Sequence, residues 1–97
     1  MADVRKQIDG LDQELVAMLA LRSQYIDRAT ALKQINGWPA RIPSRVEEVV
    51  SNAREKAETA GLDADLIESL WRQLVDWSIA REAREIPEHA SEPKGKA

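Results

Sequence analysis

The chain has no cysteine and no phenylalanine, and its 97 residues include one tyrosine, one histidine, four glycines and four prolines. Without cysteine, neither disulfides nor thiolate metal sites can stiffen it. It also lacks a basic excess: 14 Lys and Arg stand against 17 Asp and Glu, a formal net charge of -3. That balance argues against a nucleic-acid partner, which calls for a basic face. No apolar run approaches the ~20 residues that span a membrane. The charged opening Met1-Ala2-Asp3-Val4-Arg5-Lys6 is unlike a signal peptide. A cytoplasmic protein with no membrane partner is the expectation. Proline is missing before Pro39, so no residue there forbids a long helix. No stretch shows the two-residue alternation of a strand, and nothing divides the chain into two domains.

What fills these gaps is helical periodicity. Val4, Ile8, Leu11, Leu15, Met18, Arg22, Tyr25, Ala29 and Leu32 follow steps of four and three, the repeat of a long packed helix. The pattern predicts a first helix from an Asp3 N-cap to about Gln34, roughly 48 Å long at 1.5 Å per residue. The rest of so short a chain cannot cover such a helix, so a partner chain is expected. Residues 35–43, with Asn36-Gly37 and two prolines, read as a loop. A capping box, Ser44-Arg45-Val46-Glu47, predicts the start of a second helix, which runs through Val49, Val50, Ala53, Ala57 and Ala60 to Gly61. Asp63 is the expected cap of a third helix, with an apolar stripe of Leu66, Ile67, Leu70, Trp71, Leu74, Trp77 and Ile79 that fades near Ile86. Trp71 and Trp77 read as core, and Trp38 as a pin for the loop. The expected fold class is all-α, with one long and two shorter helices in a domain over residues 1–86. Residues 87–97 read as a disordered polar tail.

Arg22 stands where the seam calls for an apolar residue. A buried cation without a partner costs several kcal/mol, on the order of a lost buried ion pair. Alone, it reads as an interfacial arginine paired with Asp12 or Asp27. Lys33, however, lies three turns further on nearly the same side, roughly 16 Å along the axis, which suits a ligand with two separated negative groups. Arg5 lies about 100° around the helix from Arg22, so it can serve such a site only from a partner chain. Arg45 is expected at the first position of helix two, where the helix N-terminus also favours an anion. Ser78 and Glu82, four apart, share a face of helix three.

These residues and spacings resemble the all-helical chorismate mutases, including their isochorismate-pyruvate lyase branch. Arg5 within residues 3–9, the pair Arg22 and Lys33, Arg45 and Glu82 all fall on the family's positions, as do the segments 11–22 and 61–63. The resemblance covers about residues 3–86. It implies an intertwined helical homodimer and a concerted rearrangement of chorismate to prephenate, with no cofactor and no metal. It also implies roles: Arg22 and a partner copy's Arg5 on the two substrate carboxylates, Lys33 on the ether oxygen and one carboxylate, Arg45 closing the pocket, and Ser78 supporting the ring carboxylate. Glu82 would donate to the ether oxygen, which requires a proton on its carboxyl. Activity is therefore expected to rise as pH falls.

Two positions depart from the mutase pattern. Ile42 and Val46 stand where carboxylates bind the ring hydroxyl, and residues 42–46 look like the isochorismate-pyruvate lyases of salicylate synthesis. Glu82 points the other way, because those lyases carry Gln there. Aminodeoxychorismate mutase is a third reading. A helical dimerisation module without catalysis is the non-enzyme alternative, and it expects the polar residues of the seam to pair with one another.

Overall fold

The computed structural model describes residues 1–86, which form three helices: α1 (Ala2–Asn36), α2 (Pro43–Thr59) and α3 (Ala64–Ala83). The expected tail, 87–97, lies outside the described residues. α1 starts ahead of the predicted boundary, with Met1 as N-cap and Asp3 inside the first turn, where a carboxylate complements the positive end of the helix dipole. At its other end Gly37 adopts φ 69°. The Trp38 N–H reaches the Lys33 carbonyl at 2.9 Å and the Gly37 N–H reaches that of Gln34 at 3.3 Å. This is a Schellman closure, which a residue with positive φ makes possible.

The capping box expected at Ser44 does not form. Ile42 is the N-cap of α2, without a side-chain cap bond, and Pro43 occupies the first turn. Proline has no N–H to satisfy there and its φ is already helical, so the helix begins earlier. Arg45 is consequently the third residue of α2 rather than the first. The far end follows expectation: Gly61 has φ 75°, and the Leu62 N–H closes on the Ala57 carbonyl at 2.8 Å. Asp63 caps α3, its carboxylate accepting the N–H of Asp65 at 2.9 Å and of Leu66 at 3.2 Å. α3 ends at Ala83, ahead of Ile86, which is nevertheless buried.

The short turn after Gly61 folds α3 back along α2, and these two helices make the main packing of the chain. Val50, Ala53 and Ala57 of α2 and Val75 and Ser78 of α3 are buried in the core. Only the C-terminal half of α1 packs on α3. There Asp27 takes a two-pronged bond from Arg81 at 2.8 and 3.0 Å, and Gln34 donates to the Glu85 carbonyl at 2.6 Å. Residues 1–21 are all exposed. Val4, Ile8, Leu11, Leu15 and Met18 are 50–65% exposed, so the heptad seam faces outward. The molecule measures 53 × 23 × 15 Å, and α1 sets its long axis. Trp77, expected in the core, is 50% exposed beneath the Arg81 guanidinium. Leu66 and Leu70 are also half exposed, because α2 covers another face of α3.

Candidate functional site

Where α1 crosses α3, the two helices and the start of α2 enclose a cavity of about 290 Å³. Seven of the eight expected site residues line it: Arg22 and Lys33 from α1, Ile42, Arg45 and Val46 at the start of α2, and Ser78 and Glu82 from α3. Helical spacing explains the convergence, since residues three or four apart, and multiples of that step, return to one face. Arg5 is the exception. It is exposed and sits about 26 Å along α1 from Arg22, at 1.5 Å per residue.

The Arg22 guanidinium donates to the Ser78 hydroxyl at 3.2 Å, and that hydroxyl donates in turn to the Leu74 carbonyl at 2.9 Å. Ser78 is 3% exposed. Arg22 therefore pairs with a neutral group. Within the chain neither expected carboxylate reaches Arg22: Asp27 pairs with Arg81 and Asp12 is exposed on the outer half of α1. Desolvation, and secondarily the nearby Arg45 charge, lower the Arg22 pKa from its ordinary value. Both causes disfavour the cation. An anionic ligand would relieve both.

Lys33 lies 2.9 Å from Glu82 Oε2, with side chains 16% and 4% exposed. The contact is an ion pair without hydrogen-bond alignment, for Glu82 Oε2 is buried with no hydrogen-bond partner. Nζ of Lys33 also donates to the Ala40 carbonyl at 2.8 Å. Arg45 is exposed at the cavity mouth and pairs with Glu48, one turn further along α2. Ile42, 2% exposed, and the half-buried Val46 form an apolar wall. Of the pairings that a non-catalytic module would show, Lys33–Glu82 is present, whereas no ion pair to Arg22 is found among the described residues.

Two contributors escape a sequence reading. The Ala40 carbonyl is backbone, which no residue letter announces. Trp38 also lines the cavity, although its position in a loop suggested only a pin. Its place immediately after the helix-ending Gly37, five residues from Lys33, was the available signal. The site can hold a ligand with separated anionic groups around an apolar body, and it presents an ammonium beside a buried carboxyl.

Comparison with known proteins agrees with this geometry. The family model described as chorismate mutase type II matches residues 4–83. The chain is 35% identical over 82 residues to the T-protein of Haemophilus influenzae, a match covering 84% of this chain and 22% of that protein. It is 34% identical over 85 residues to the isochorismate pyruvate lyase of Pseudomonas aeruginosa, covering 87% of this chain and 82% of the lyase. The T-protein of Enterobacter agglomerans is 32% identical over 79 residues, 21% of its length. The chain thus spans about a fifth of either T-protein and most of the lyase.

Proposed function

The chain belongs to the type II chorismate mutase family, and from that premise we propose that it rearranges chorismate to prephenate in the cavity between α1, α2 and α3. The observation that carries the reading is the meeting of Arg22, Lys33 and a buried Glu82 on one apolar-walled cavity. Chorismate carries two carboxylates and an ether oxygen. Holding both carboxylates folds the enolpyruvyl arm over the ring, and that restriction is a large part of the barrier. Arg22 takes one carboxylate, with Ser78 steadying its guanidinium. Arg5 from a second copy, paired along the exposed seam of α1, takes the other. As the C–O bond breaks, charge builds on the ether oxygen, and the fixed Lys33 ammonium stabilises it. Glu82, once protonated, donates to the same oxygen. The work is done in the cytoplasm.

A second reading has an observation of its own. The Ile42 and Val46 wall offers no hydrogen bond to a ring hydroxyl, and the Pseudomonas relative, similar over most of its length, is an isochorismate pyruvate lyase. Isochorismate carries its hydroxyl elsewhere on the ring, so an apolar wall costs it less. One experiment separates the two: purified protein is given chorismate and isochorismate side by side, and prephenate, salicylate and pyruvate are measured. Prephenate with little salicylate supports the mutase reading. Preferred release of salicylate and pyruvate supports the lyase. Silence on both substrates leaves aminodeoxychorismate or a non-catalytic dimerisation module.

A further inference from the structure

One short segment holds Lys33 at both ends. The Lys33 backbone carbonyl accepts the Trp38 N–H at 2.9 Å, and its ammonium donates to the Ala40 carbonyl at 2.8 Å. Between those contacts stands Pro39, whose ring removes one backbone freedom. The segment is tied down on either side, by Gly37 in its left-handed conformation and by Ile42, 2% exposed. Ala40 itself is buried.

A lysine side chain is a flexible stem with a point charge at its tip. The Glu82 contact attracts that charge but lacks hydrogen-bond direction. The Ala40 carbonyl supplies direction from a second side, and being neutral it leaves the ammonium's charge uncancelled. With one N–H on the Ala40 carbonyl, the ammonium keeps further N–H groups for a ligand in the cavity.

We propose that residues 38–40 are positioning residues for Lys33: the segment aims the Ala40 carbonyl so that the ammonium is fixed at the cavity before any ligand arrives. The proposal rests on the reading of Lys33 as a ligand-contacting group. It places a determinant of affinity in a connector that carries no charged side chain at those three positions.

The test is Pro39→Gly in the full chain, since this change loosens the segment at a residue that does not line the cavity. Two readouts are taken, after a thermal melt confirms that the variant folds. In the first, the Lys33 ammonium signal is followed by nitrogen-15 NMR, assigned by its loss in Lys33→Ala. A discrete signal is expected in the parent chain, broadened in Pro39→Gly and largely restored in Pro39→Ala, which keeps more of the segment's stiffness. An unchanged signal overturns the proposal. In the second, a bicyclic ether dicarboxylate is titrated by calorimetry. Pro39→Gly should weaken binding roughly five- to ten-fold, within the range of coupled neighbours, and add nothing in a Lys33→Ala background. Equal losses in both backgrounds overturn the proposal. If the parent chain binds no dicarboxylate, the functional reading fails, and the NMR signal still decides the role of the segment.

Discussion

Arg22 and Lys33 show what single residues disclose. Arg22 was legible because a cation interrupts an apolar repeat, and Lys33 because helical geometry puts it on the same side. Ser78 and Glu82 were legible as a pair on one face of α3. Their burial was not, since it depends on how α1 crosses α3. Glu82 faces Lys33 in the cavity, where a carboxylic acid or an amide can donate a hydrogen bond. Glu82→Gln, whose amide donates without any titration, is therefore expected to retain turnover and Glu82→Ala to lose at least about 10²-fold, the low end of the range for removing one such donor, measured as kcat/KM. Equal turnover by Glu82→Ala and the parent removes Glu82 from this role. Arg5 lies outside the cavity, and its proposed role rests on the family resemblance, because one chain cannot display a contact with a second copy.

At the level of elements, the start of α2 and the start of α3 form a matched pair of tests. Ser44 and Asp63 both read as caps, but only Asp63 caps, with two N–H groups on its carboxylate. Asp63→Ala should cost about 1 kcal/mol, while Ser44→Ala should change stability by under ~0.5 kcal/mol as an ordinary surface substitution. Urea titrations of both variants give the comparison. Proline at the first turn was visible in the sequence, and its preference for that place outweighed the Ser-Glu pattern. The clasp between α1 and α3 has a pH signature. The hydrogen bond from Arg81, and secondarily its charge, hold the Asp27 carboxyl below its ordinary value. Stability from this group is present above the unfolded pKa of about 3.9 and is lost as pH falls through the lower folded value. Melting temperature should thus fall with acid less steeply in Asp27→Asn than in the parent.

At the scale of the whole molecule, one long helix dominates. A helix that sets the 53 Å axis leaves its heptad seam in solvent along residues 1–21. That length and periodicity were legible in the sequence, and they are the ground for expecting a partner chain. The outward faces of Leu66, Leu70 and Trp77 were not, because helix periodicity reports an apolar face without saying whether the same chain or another covers it. The proposed second copy would bury these surfaces and bring an Arg5 to each cavity. Light scattering should find a dimer, and Met18→Glu, in the middle of the exposed seam, should give a monomer that has lost activity. A fully active monomer removes Arg5 from the account.

The most direct measurement is the conversion of chorismate to prephenate by the parent chain and by Lys33→Ala, with both proteins shown to be folded. The account predicts turnover by the parent and a loss of at least about 10²-fold in kcat for the variant, the scale of removing a group that stabilises developing charge. Equal turnover by the two proteins would contradict it, because the reaction would then owe nothing to the ammonium around which the cavity is built.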